Sequence, residues 1–119
     1  MAETMCISYG SEYGVPVKIV RLAQTFGAGV SKDDNRVFAQ FSKAVLNGYD
    51  IILHTKGETK RNYCYTTDAI RAIFTVLTKG EKNSAYNIAN KNTYCSIAEM
   101  AHLLENEITK VVYEIDDVN

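Results

Sequence analysis

The sequence predicts a layered α/β fold, and three observations carry that expectation. Helical and extended patterns alternate along the chain, in the order α-β-α-β-β-α-β-α-β. The run VKIVRL at 17–22 is apolar and β-branched at nearly every position, which suits a strand covered on both faces inside a parallel sheet. Glycines and capping residues fall where these elements end. Few other strands are available to flank the 17–22 run. Its partners are therefore expected either from another copy of the chain or from a missing part of the domain.

Residues 1–13 read as a helix, with Met5, Ser8, Tyr9, Glu12 and Tyr13 at helical spacing. Gly14 ends it and Pro16 forbids its continuation. The 17–22 strand runs to the break Gly27-Ala28-Gly29. Ser31-Lys32-Asp33-Asp34 reads as the next helix start, with acidic groups where the helix dipole favours them. Val37, Phe38, Phe41, Val45 and Leu46 give that helix an apolar stripe up to Asn47-Gly48. Ile51-Ile52-Leu53 is a short strand, residues 55–59 a polar turn, and residues 62–65 a second strand. Thr66-Thr67-Asp68 opens a helix expected to turn Ile70, Ile73, Phe74 and Leu77 inward and to stop at Lys79-Gly80. In that start, Asp68 is expected to cap free amides. Residues 85–89 form a further strand. Ser96-Ile97-Ala98-Glu99 is a capping box ahead of Met100, Leu103 and Leu104, and residues 111–115 are a last extended run.

The chain's 119 residues are enough for one domain with one core. A net charge of −1 gives no basic field to recruit nucleic acid or an anionic membrane. The apolar runs are too short to span a bilayer. The start MAETMC has neither the basic nor the apolar region of a secretory signal. Cys6, Cys64 and Cys95 are odd in number and lie far apart, without the close pairs of a metal site. Reduced thiols in the cytoplasm are the expectation. His54 and His102 stand in no HxxxH or HExxH pattern, so no metal is expected.

Four stretches resemble one family in its own order. IVRLAQTFGAG at 19–29 is similar to the segment after the catalytic helix of extended short-chain dehydrogenases/reductases, roughly RLxNxYGxG. VFAQFSKAVLNGYDIILHTKGETKRNYCYTTDAIRAI at 37–73 resembles VIPxFIxxALxGxPIxxYGxGxxxRDFxYVxDxARA without a gap. AYNIAN resembles the family's YNIG strand, and CSIAEMAHLL its SIxELAxLI helix. The likeness is to the NAD-dependent epimerase/dehydratase family and covers nearly the whole chain. It implies the carboxyl-terminal part of a Rossmann-type extended short-chain dehydrogenase fold, lacking the nucleotide-binding strands. Residues 1–30 would be a remnant of the Rossmann half, and residues 31–119 the substrate-binding region of one partial domain.

The family binds NAD(P) through a Gly-rich strand-to-helix turn and moves protons with a YxxxK pair. No GxxGxxG is present, and Tyr9 and Tyr13 are followed four residues on by Tyr13 and Val17. The resemblance therefore implies a nucleotide-diphosphate-sugar binding region of an epimerase or dehydratase. It implies no catalytic residue here and no tight hold on NAD(P). A stand-alone binding or oligomerisation module, or one piece of a split enzyme, is the alternative.

Arg61 heads the RDFxYVxD-like run, where relatives place a diphosphate contact. A permanently charged guanidinium meets two phosphate oxygens at once. The competing role is a surface pair with Glu58 or Asp68. Asn62 stands where relatives have aspartate. Gln24 occupies a position often asparagine, used on substrate phosphate or sugar; the other role is an amide tying down its own loop. His54 matches a position near the nucleobase, and is otherwise an exposed strand-end histidine. Val37 matches the segment where the base packs, and is otherwise core. Asn87 matches YNIG, supporting the pocket or satisfying buried backbone. A nucleotide-diphosphate sugar, bound weakly by the chain alone, is the expected partner. Self-association is expected through an open edge of the 17–22 strand; in relatives the first helix forms dimers, and here Met1, Met5 and Ile7-Ser8 pack either against a partner or, as the default, against this chain's own sheet.

Overall fold

A computed structural model describes residues 1–116. The chain folds into two compact units, Met1–Gly27 with Tyr63–Lys91 and Ala28–Asn62 with Asn92–Asn119.

In the first unit, α1 spans Ala2–Tyr13 and closes on Gly14, whose φ of 68° is the left-handed conformation that glycine adopts without penalty. Strand β1 (Lys18–Leu22) is followed by β2 (Gln24–Phe26), a three-residue strand the sequence pattern does not suggest. After β4 (Lys60–Tyr65; here its 63–65 portion) comes α3 (Thr66–Lys79) and then β5 (Ser84–Ile88). β1 pairs with β5 in parallel, Val20 opposite Tyr86, and β2 pairs in parallel with β4, Thr25 opposite Cys64. Among the described residues β1 pairs with β5 alone. It is half-buried at Lys18, Ile19 and Val20 and exposed at Arg21 and Leu22, so it is less covered than its composition suggests.

The core of this unit joins Cys64, Ala69, Val76 and Ile88, with Val20, Ala23, Ala72 and Tyr86 packed against them. The inward face of α3 is therefore Ala69, Ala72 and Val76. Three of the residues expected inside lie outside: Ile70, Phe74 and Leu77 are 47%, 61% and 62% exposed. Small side chains let α3 lie close on β1 and β5, and the large ones are left on the far face. Asp68 lies in the first turn of α3 but makes no side-chain cap; its charge alone favours the helix N-terminus.

In the second unit, α2 (Val37–Asn47) starts later than expected. The Asp34 carboxylate accepts from the Arg36 backbone N–H at 2.9 Å and from its guanidinium at 2.7 Å. This local turn occupies the Asp34 carboxylate and holds Arg36 extended at the N-cap. Helix α2 buries Phe38, Ala39 and Phe41, leaves Leu46 84% exposed, and closes on Gly48. β3 (Ile51–Leu53) pairs in parallel with β7 (Val111–Tyr113). The 60–62 portion of β4 pairs antiparallel with β6 (Tyr94–Ser96), which a short 3₁₀ turn at Lys91–Thr93 precedes. Helix α4 (Ile97–Leu103) begins on the expected capping box: Ser96 Oγ accepts from Glu99 N at 3.0 Å, and the Glu99 carboxylate accepts from Ser96 N at 2.7 Å. The core here is Phe41, Ile51, Leu53 and Ala101, flanked by Val37, Val45, Ile97 and Val111.

Candidate functional site

The loop before β4 sets the position of Arg61. Gly57 has a φ of 64°, and a Cβ there would lie 2.9 Å from the Ala98 backbone nitrogen, so glycine alone fits. The start of α4 seals this loop, with Ala98 N donating to Gly57 O at 3.0 Å and Ile97 N to Thr59 O at 3.1 Å. β4 leaves the loop with Lys60 opposite Ser96 and Arg61 opposite Cys95. Burial first, and the Glu99 charge second, push the Cys95 thiol up, so the register partner of Arg61 is a neutral, weakly nucleophilic thiol.

Arg61 is exposed, and among the described residues its side chain has no ionic or hydrogen-bonding partner. Neither Glu58 nor Asp68 pairs with it. The other arginines with a described carboxylate are committed: Arg21 donates twice to Glu3 at 2.8 Å, and Arg36 is held by Asp34. His54 follows β3, is exposed, and has no described partner. Val37, the first residue of α2, is half-buried against the Phe41 cluster.

The remaining two candidates lie in the first unit. Gln24 opens β2 opposite Tyr63 and is exposed. The end of β2 is fixed by Thr66 Oγ1, which donates to Phe26 O at 2.8 Å. A Cβ on Gly27 would come within 2.6 Å of that hydroxyl, which accounts for the glycine. Asn87 lies on β5 opposite Arg21 and is exposed, so it is not a buried amide. Neither amide has a described hydrogen-bond partner, and Gln24 does not tie down its loop. Arg61, His54 and Val37 thus belong to one unit and Gln24 and Asn87 to the other. A shallow hollow along α1, lined by Met1, Met5, Tyr9 and Tyr13 among others, involves none of the five.

Two strand-to-helix junctions bear on the cofactor. β4 passes directly into α3 at Tyr65-Thr66, without a glycine, and the N-terminus of α4 is filled by the Glu99 carboxylate. Among the described residues no group of three or more His, Cys, Asp or Glu could hold a metal ion, and no helix is long and apolar enough to cross a membrane.

The structure also brings together a polar cluster that no sequence motif announces. His102, at the end of α4, binds the Glu105 carboxylate through Nδ1 and lies 2.9 Å from the Tyr113 hydroxyl through Nε2. The spacing of His102 and Glu105 is visible in the sequence; Tyr113 lies across a loop and is not.

The profile of the NAD dependent epimerase/dehydratase family matches residues 1–89 of this chain. The chain belongs to that family. UDP-glucuronic acid decarboxylase 6 of Arabidopsis thaliana is 27% identical over 115 residues, covering 97% of this chain and 33% of that protein. dTDP-D-glucose 4,6-dehydratase of Mus musculus is 32% identical over 100 residues, covering 84% and 27%. Among solved structures, UDP-glucose 4-epimerase of Thermotoga maritima with UDP-glucose superposes with a TM-score of 0.80 at 24% identity, covering 98% of this chain and 38% of that one. Pal from Bacillus thuringiensis gives 0.83 at 21%, covering 96% and 37%. The α/β fold is thus that of Rossmann-type extended short-chain dehydrogenases. The chain spans 24% to 33% of the length of the first curated relatives it matches.

Proposed function

We propose that this chain supplies the nucleotide-diphosphate-sugar binding region of an NAD-dependent epimerase/dehydratase, with Arg61 as the diphosphate contact. One observation carries this reading: Arg61 is exposed and uncommitted on a strand that two backbone bonds and a capping box hold in place. In the unit of Arg61, His54 and Val37 offer a ring and an apolar edge for the base; Gln24 and Asn87, in the other unit, are exposed amides of the kind that meet phosphate or sugar hydroxyls. Residues 1–30 are the remnant of the nucleotide-binding half and 31–119 the substrate region. The relatives' names supply the substrate class, since they act on UDP- and dTDP-linked sugars. Three free cysteines suit the reducing cytoplasm.

The junctions at Tyr65-Thr66 and Ser96 offer no glycine cradle for a pyrophosphate, so the residues present do not fit NAD, and hydride transfer is no part of this reading. Calorimetric titration with UDP and UDP-glucose tests it. Charge-assisted hydrogen bonds contribute about 1.5–3 kcal/mol. Arg61→Ala should therefore weaken binding by roughly tenfold or more, and Arg61→Lys should recover only part of the loss because the fork is gone. Equal affinity of the parent and Arg61→Ala removes Arg61 from the account. Product formation from NAD and a UDP-, CDP- or dTDP-sugar would overturn the non-catalytic assignment.

A second reading, an association module or a piece of a split enzyme, is favoured by the exposed Met1, Met5, Tyr9 and Tyr13 on α1 and by the single pairing of β1. Sedimentation velocity at tens of micromolar decides whether copies of the chain associate.

A further inference from the structure

We propose that Tyr113 is an activated phenol, a surface nucleophile that takes an acyl group from a neutral activated acyl donor, with His102 as its base and Glu105 as the positioning residue. The geometry is a hydroxyl, an imidazole and a carboxylate in series. Glu105 binds His102 at Nδ1, and the Tyr113 hydroxyl lies 2.9 Å from Nε2. The cluster is far in sequence from the residues assigned to the nucleotide sugar and does not depend on that assignment.

The order of protons follows from the partners. The His102 hydrogen bond, the largest influence, holds the Glu105 carboxyl below the usual carboxylate range, aided by the Val111 N–H and the Lys110 charge against a smaller opposing effect of burial. An ionised carboxylate can only accept, so Nδ1 carries the proton. In the neutral imidazole Nε2 is then the acceptor, and the Tyr113 O–H donates to it. This arrangement activates a weak nucleophile through an adjacent base that a third group orients. The residue lies open to a small donor, since Tyr113 is 45% exposed. β7 holds its backbone, with Tyr113 opposite Leu53 and Glu114 N donating to Leu53 O at 2.9 Å.

The reaction balances as follows. The phenolic oxygen forms a bond to the acyl carbon, the bond from that carbon to the donor's leaving group breaks, and the phenolic proton passes to His102 and then to the leaving group. Glu105 stabilises the imidazolium formed meanwhile. Glu105 and Lys110 offset each other beside the site, so it holds no net positive charge to draw in an anionic phosphoryl donor, and a neutral acyl donor is the class that fits.

N-Acetylimidazole is the probe, with peptide mass mapping of the intact chain over time at pH 7.5. Tyr49 and Tyr94 are the internal references, since both are more exposed than Tyr113 and lie outside the cluster. A positioned base contributes roughly 10²–10⁴-fold where it is fully effective. At this open site Tyr113 should acetylate at least about tenfold faster than Tyr49. His102→Gln should bring the ratio to about one, and Glu105→Gln should lower it part of the way, with Tyr49 and Tyr94 unchanged in both. A ratio near one in the parent chain, or a ratio that both variants leave unchanged, overturns the proposal. Because the ratio is taken within one molecule, a general loss of stability in a variant shifts all three tyrosines together and does not imitate the expected result.

Discussion

Replacing Thr109 with valine should stabilise this protein, although it deletes a polar group from a loop. Thr109 is fully buried, and its hydroxyl has no hydrogen-bond partner among the described residues. The loop is built by its neighbours. The Asn106 side-chain oxygen accepts from Ile108 N at 2.8 Å and Thr109 N at 2.9 Å, and Asn106 N donates to Thr109 O at 3.0 Å. The next residue joins the loop to β3, with Lys110 N donating to Asp50 at 2.9 Å and Ile51 N to Lys110 O at 2.8 Å. Every one of these bonds uses backbone atoms of residue 109 or its neighbours, and none uses the hydroxyl. A buried unsatisfied hydroxyl carries a desolvation penalty of about 1–3 kcal/mol. A methyl in its place adds up to about 0.8 kcal/mol of burial. Both side chains are β-branched, so little rotamer entropy changes. Allowing for imperfect fit, Thr109→Val should gain about 1–2 kcal/mol. With a urea slope of about 1–2 kcal/mol/M for a chain of this size, the midpoint should rise by roughly 1 M at unchanged slope. Thr109→Ser keeps the hydroxyl, loses the methyl, and should fall by about 1 kcal/mol. Urea unfolding followed by far-ultraviolet circular dichroism measures all three. A valine variant at or below the parent's midpoint, with the slope unchanged, would show that the hydroxyl is satisfied and the reasoning mistaken.

Ser96→Ala removes the acceptor for Glu99 N and should cost about 1 kcal/mol in the same urea experiment. Glu99's folded pKa is depressed, chiefly by the Ser96 backbone hydrogen bond. Its contribution is therefore present above the unfolded value near 4.3 and is lost as pH falls through the lower folded value. The urea midpoint should drop between about pH 5 and pH 3, less so in Glu99→Gln, with the remaining drop carried by Glu3, Asp34 and Glu105, whose pKa values are also lowered. On α3, Ala69→Leu should lose about 1–3 kcal/mol by overpacking, whereas Phe74→Ser should stay within about 0.5 kcal/mol of the parent; thermal unfolding of the pair checks which face is buried.

Element ends were the most legible part of the fold. Gly14, Gly48 and the Ser96-Glu99 box each satisfy helix-end groups through local chemistry, and each does so where the sequence places it. What depends on tertiary pairing was not legible. β2 and β6 are three residues long, too short to show a period of two, and exist because β4 pairs with each. Helix α2 starts later than the pattern places it because Asp34 has a nearer partner in Arg36 than the helix amides. Of the candidate site, Arg61 could be singled out by type and position. Its freedom from Glu58 and Asp68 is a fact of side-chain placement that no spacing reveals. The Tyr113–His102 contact is set by the β3–β7 pairing and the loop at Asn106, so it too was beyond reach of a local pattern.

Helix α3 shows why the heaviest apolar residues are a poor guide to the buried face. Sidedness alone allows two faces: Ala69, Ala72 and Val76, or Ile70, Phe74 and Leu77. The second, with Ile73 beside it, would bury far more area per side chain and is the core the pattern predicts; of that set only Ile73 is half-buried. Distance decides otherwise. Cys64, Val20 and Ile88 fill the layer beneath the helix, and small side chains are what let it settle onto them. The large residues are then a second apolar row, and this chain leaves it to solvent. A single exposed leucine needs no account, but a row at i, i+4 and i+7 on one helix is the kind of continuous patch that monomers seldom show. The chain spans only 24% to 33% of the length of its first curated relatives. The row and the single-sided pairing of β1 are both surface that the first unit leaves uncovered.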